Sequence, residues 1–165
     1  MGIDYIYVNH SKKQYFDIGL FGESCRSRCA GFGFGSRALS LLISDQGSWN
    51  CDSIEMVDDV SDKSLLISSN YTKINIEAEL LILDVDGIEN FKNLYEESEF
   101  DFSTFSHLCL YAMILKRPEV IELLDEKYGR GGWQKQYKNN YSEHTIRMEL
   151  SIYEAQGRNI ILFGK

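Results

Sequence analysis

Three short motifs in this 165-residue chain carry residue types that do chemistry elsewhere in proteins, and each chemistry has strict requirements. Gly31-Phe32-Gly33-Phe34-Gly35-Ser36-Arg37 runs into a Leu-rich segment read as a helix, so its backbone N–H groups would face an anion at a helix N-terminus. A dinucleotide fingerprint needs a third glycine where Ser36 stands, and a P-loop needs Gly-Lys-Ser/Thr, which is absent. The segment is therefore read first as tight turns with aromatic packing, and second as a small-ligand or phosphate site in a binding protein or enzyme. Cys25-Arg26-Ser27-Arg28-Cys29, with Cys51 and His10 as distant partners, lacks the second close pair of ligands that structural zinc sites present. These cysteines, with Cys109, are read as free thiols. Asp84-Val85-Asp86-Gly87 follows an apolar run, as the nucleophile of some phosphatases does, but the supporting acid, Thr/Ser and Lys motifs are not found; it is read as a surface turn. His10, His107 and His144 stand far apart, with no Gly-x-Ser-x-Gly elbow beside them. No catalytic set, metal or cofactor is assigned, and the chain is read as a binding protein.

Charge is more informative when counted by segment. Residues 1–50 carry five basic and four acidic side chains, residues 51–126 five and eighteen, and residues 127–165 seven and three; the local balances are +1, −13 and +4. A chain whose middle is this acidic is a poor match for phosphate backbones, which need a clustered basic surface. The complement of a carboxylate-rich surface is a basic protein. Two acidic runs are candidates for it: Asp58, Asp59 and Asp62 in one turn, and Glu96, Glu97, Glu99 and Asp101 interleaved with Tyr95, Phe100 and Phe102. Aromatic anchors among carboxylates give hot spots as well as steering. The competing reading is a solvated acidic face whose rings point inward.

The elements that must carry these residues follow from periodicity. Residues 3–8 and 14–18 are rich in aromatic and β-branched side chains around a polar break, which predicts an opening hairpin. Ser36 is expected to cap a short helix through Ile43, and Ser53-Ile54-Glu55-Met56-Val57-Asp58 alternates as a half-buried strand. Residues 73–83 are read as a strand, although Glu77-Ala78-Glu79-Leu80-Leu81 also suits a helix. Residues 84–101 are read as a short amphipathic helix with a loop. Phe105, Leu108, Cys109, Ala112 and Leu115 recur at helical spacing, and Pro118 opens a second helix ended by Gly129-Arg130-Gly131-Gly132. Residues 141–153 and 159–163 are expected to form two closing strands. The sum is a single α+β domain, residues 1–165, with a mostly antiparallel sheet, strands at both termini and helices between. A 44% apolar content, with ten Tyr and nine Phe, supports a packed core. The opening Met1-Gly2-Ile3-Asp4 has an acid where an export signal carries basic charge, and no apolar run approaches the ~20 residues that span a bilayer; a cytoplasmic location is expected.

The stretch Tyr5-Ile6-Tyr7-Val8-Asn9-His10-Ser11-Lys12-Lys13-Gln14-Tyr15-Phe16-Asp17, followed by a Leu-rich helix and Ser48-Trp49-Asn50-Cys51-Asp52-Ser53-Ile54-Glu55-Met56-Val57-Asp58-Asp59, resembles a group of small, uncharacterised bacterial proteins with that start. Small size, acidity and α+β character also make the chain look like the immunity proteins that neutralise interbacterial toxins. That resemblance implies an inhibitor that covers a basic toxin, often a nuclease in that class, with its acidic segment. The expected contact residues are Asp58, Asp59, Asp62, Tyr95, Glu96, Glu97, Glu99, Phe100 and Asp101.

Overall fold

A computed structural model describes residues 3–22, 33–97, 108–109, 111–112 and 116–140. They divide at Gly87 into two compact units. In the first, β1 (Tyr5–Asn9) and β2 (Gln14–Asp17) form the expected hairpin, and β3 (Ile54–Asp58) joins the other side of β1, also antiparallel. The two-residue β4 (Thr72–Lys73) pairs parallel to β2, so the sheet order is β3-β1-β2-β4 and the sheet is mixed. With helices α1 (Phe34–Ile43), α2 (Asp62–Asn70) and α3 (Asn75–Glu97) around it, the fold is α+β.

The hairpin residues alternate between two buried faces. Ile6, Val8 and Val57 lie on one, covered by Ile67 of α2 and flanked by Tyr15 and Tyr71. Tyr7 and Phe16 lie on the other, with ring centroids 5.4 Å apart, and Trp49 packs on Phe16 at 5.5 Å. Neither face is left to solvent at the centre of the sheet, which explains why β1 reads Ile-Tyr-Val rather than apolar-polar-apolar.

Several local expectations are corrected. Residues 75–83 are helical, not a strand. Ala78, Leu80, Leu81, Ile82 and Leu83 are all buried, so burial on several sides of one helix mimics the apolar run of a strand. Asp84-Val85-Asp86 continues that helix instead of making a turn, and the break falls at Gly87, whose φ of 76° is the left-handed region glycine enters freely. Helix α1 starts at Phe34 with Gly33 as its N-cap residue, so Ser36 is inside it and caps nothing. The segment expected as a turn at residues 58–62 runs into α2, which starts at Asp62: the Ser61 hydroxyl accepts from the Ser64 N–H, and Asp62 sits favourably in the first turn.

In the second unit, α4 (Pro118–Tyr128) begins at Pro118 and stops at Gly129, as read. It buries Val120, Leu123 and Leu124. Helix α5 (Gly132–Asn140) is tied back by Trp133, whose indole N–H donates to Asp125 at 2.9 Å. Leu108, Cys109, Tyr111 and Ala112 are helical and buried. Burial pushes the Cys109 thiol up to about 12, so it is a small hydrophobe and not a nucleophile. Phe105 and Leu115, and the expected strands at 141–153 and 159–163, lie outside the described residues. Among the described residues no helix is long and apolar enough to cross a membrane.

Gly35 is required by packing. A Cβ built there would sit 1.9 Å from the backbone oxygen of Ile18, and beside it Phe34 and Phe21 stack edge-on at 4.8 Å. Gly35→Ala is expected to push α1 off the strand end and cost about 1–3 kcal/mol of unfolding free energy. A denaturant midpoint equal to the parent's would refute that close approach.

Candidate functional site

The turn from β3 into α2 brings three of the expected contact residues together. Asp58 ends the strand half-exposed and Asp62 opens the helix, while Asp59 between them is exposed. Local structure accounts for part of this acidity: an Asp58 carboxylate oxygen accepts from the Val60 N–H at 3.1 Å, and one from Asp59 accepts from the Asp4 N–H at 3.2 Å. Among the described residues no Lys or Arg pairs with any of the three.

Their neighbours in the acidic stretch behave differently. Asp52 accepts from Asn9 (2.7 Å) and Lys12 (2.9 Å), Glu55 from Lys63 (2.5 Å), and Asp86 from the guanidinium of Arg37, while Glu119 is bridged by Arg117. So four carboxylates of the −13 stretch are internally compensated, whereas those of the 58–62 turn have no basic partner among the described residues. The same segment exposes large apolar side chains: Val60 is 71% accessible, Leu65 63% and Leu66 66%. Leu65 and Leu66 are left out because α2 faces the sheet through Ile67 and Ser64. Apolar side chains ringed by carboxylates are the composition of a docking surface, since burial supplies affinity and charge supplies steering.

Tyr95, Glu96 and Glu97 fall in the last turn of α3, within the second unit, and Glu99, Phe100 and Asp101 lie outside the described residues. The second unit has an acidic concentration of its own that sequence reading missed: Glu89, Glu119, Glu122 and Glu126 line a cavity of about 430 Å³ with Ile88 and Leu123. Glu119, Glu122 and Glu126 recur at intervals of three and four on one helix, and that spacing was the available signal.

Of the glycine segment, Gly31 and Phe32 lie outside the described residues, and the part that is described serves the packing noted above. Cys25, Cys29, His107 and His144 also lie outside. Cys51 is exposed, its thiol donating to Asn50 at 3.3 Å. No group of three or more metal-ligating side chains occurs among the described residues.

A second polar cluster was invisible in the sequence. His10, just past β1, contacts Glu55 through Nε2 at 2.7 Å and the Tyr71 hydroxyl through Nδ1 at 3.0 Å; Lys63 holds the other oxygen of Glu55. A carboxylate only accepts, so Nε2 donates to Glu55, while Nδ1 and the Tyr71 hydroxyl share the second hydrogen bond. The connectivity is that of an acid–base relay, yet both ring nitrogens are engaged within the cluster. Lys63 and Tyr71 flank the two ends of α2, so the cluster clamps that helix across the hairpin end of the sheet.

Hydrogen bonds from Lys63, then His10, hold the Glu55 carboxyl below the usual carboxylate range, and bonds from Asn9, then Lys12, do the same for Asp52. A depressed carboxyl pKa means that the unfolded chain binds more protons. These groups therefore stabilise the fold at neutral pH, and their contribution is lost as pH falls below about 5 toward their folded values. The denaturation midpoint is expected to drop across that range, and the acid limb to flatten in the double variant Asp52→Asn/Glu55→Gln. An unchanged acid limb would count against both attributions.

Comparison of the chain with protein-family models, with curated protein sequences and with solved structures returned no match.

Proposed function

We propose that this chain is an immunity or inhibitor protein that acts in the cytoplasm by covering a basic toxin with the acidic, apolar surface of the β3–α2 segment. The observation that carries the reading is the contrast within one acidic stretch. Asp52, Glu55, Asp86 and Glu119 are neutralised by the chain's own cations, whereas Asp58, Asp59 and Asp62 stand with no described basic partner beside exposed Val60, Leu65 and Leu66. Surface carboxylates left uncompensated beside apolar side chains favour a cationic protein over nucleic acid or an anionic membrane surface. Such a function needs no cofactor and no catalytic residue. The run at residues 95–101 is a second proposed contact.

The test is co-expression with the product of the neighbouring gene, the natural position for a cognate toxin. Growth should be restored by this chain and lost again with Leu65→Ser/Leu66→Ser, with a complex of the two proteins recovered in the first case only. Cells that die equally in both, with no complex, would remove the proposal.

A further inference from the structure

The pairing between β1 and β3 fixes which backbone groups of β3 remain open. His10 N–H donates to the Ser53 carbonyl and Asp59 N–H to the Asp4 carbonyl, while Val8 stands opposite Glu55 and Ile6 opposite Val57. In an antiparallel ladder, hydrogen-bonded pairs alternate with non-bonded ones. Residues 53, 55, 57 and 59 therefore bond inward to β1, and the N–H and C=O groups of Ile54 and Met56, with the N–H of Asp58, point away from the sheet. β3 is the outer strand of the order β3-β1-β2-β4 among the described residues. Proteins ordinarily blunt such an edge with Pro, a bulge, an outward Lys or a very short strand. β3 has no Pro, bulge or Lys over its five residues, its charged side chains being Glu55 and Asp58, and its Met56 side chain is 44% exposed.

We infer that the edge of β3, unpaired among the described residues, is a strand-addition site, at which an extended cationic segment of the partner pairs with the outward backbone groups of Ile54 and Met56. This rests on the reading of the β3–α2 surface as the docking face. Main-chain pairing supplies affinity that is indifferent to sequence, and side chains supply the selection. Here selection falls to Asp58, Asp59 and Asp62 at the end of the strand, which match Lys or Arg on the incoming segment.

The probe is a capped octapeptide of alternating Lys and Val, titrated into the full chain and followed by backbone amide shifts. A second peptide of the same sequence is N-methylated at alternate residues, so that it keeps its charge and cannot pair. The first peptide should bind and shift the amides of Ile54, Met56 and Asp58, and N-methylation should weaken it about tenfold or more. Met56→Pro should do the same with the fold intact, because the N–H it removes faces outward and Pro is tolerated on edge strands. If both peptides bind equally, yet binding is lost in Asp58→Asn/Asp59→Asn/Asp62→Asn, strand addition is overturned while the cationic-partner reading stands. Absence of binding by either peptide also overturns strand addition, and co-expression then decides the broader reading separately. A chain dimer dispersed by Met56→Pro would reassign the edge to a second copy and overturn the inference.

Discussion

Trp49→Ala is expected to lower the unfolding free energy by about 3–5 kcal/mol, the loss seen when a large aromatic side chain is deleted from a packed interior. Trp49 is fully buried against Phe16, its backbone N–H donates to the Leu42 carbonyl, and its indole N–H donates to the Gln14 side chain at 2.8 Å. One residue thus joins the connection after α1 to the second strand of the hairpin. The control is Trp49→Phe, which keeps most of the volume and loses the donor. It should cost about 0.5–1.5 kcal/mol for the hydrogen bond, with a further loss from imperfect packing. Denaturant unfolding at constant m-value reads both. If alanine costs no more than phenylalanine, the burial of Trp49 against Phe16 is not what holds this part of the core.

Asp58→Asn/Asp59→Asn/Asp62→Asn should leave stability nearly unchanged and slow association with the cationic partner by about 10- to 100-fold at low salt. Stability is preserved because an asparagine side-chain oxygen still accepts from the N–H groups of Val60 and Asp4, as the carboxylates do. Rate falls because three unit charges that draw a basic surface are removed. Raising the ionic strength to about 1 M shortens the Debye length to about 3 Å, so variant and parent should converge there. Leu65→Ser/Leu66→Ser should do the opposite: an unchanged on-rate and faster dissociation, since buried apolar area and not charge is lost. Stopped-flow association across a salt series separates the two. An acidic triple variant that associates as fast as the parent at low salt would show that these carboxylates do not steer.

Both results bear on the same segment from different sides. The acidity of residues 51–126 is a bulk property, and the fold pairs only part of it internally. Lys12 and Asn9 reach Asp52, Lys63 and His10 reach Glu55, and Arg37 reaches Asp86. The carboxylates at 58–62, which have no basic partner among the described residues, define the proposed docking face. The clamp formed by His10, Glu55, Lys63 and Tyr71 matters to that face indirectly, because it holds both ends of the helix that carries Leu65 and Leu66.

The sequence by itself determined the elements whose signals are local. Alternation and polar breaks placed the hairpin and β3; Pro118 and Gly129 bounded α4, since a missing N–H and a left-handed residue act on the backbone at that position alone. It also located the acidic turn, because Asp58, Asp59 and Asp62 are neighbours in the chain. Only the tertiary structure decided the rest. A helix buried on several sides has the apolar run of a strand, so residues 75–83 were settled by what surrounds Ala78 and Leu80 to Leu83. Which carboxylates are neutralised depends on pairs such as Arg37 with Asp86 and Lys12 with Asp52, 49 and 40 residues apart, for which no spacing rule exists. Which edge of β3 faces away from the described sheet likewise follows from its place beside β1, because a strand's unpaired groups are defined by its neighbours and not by its own residues.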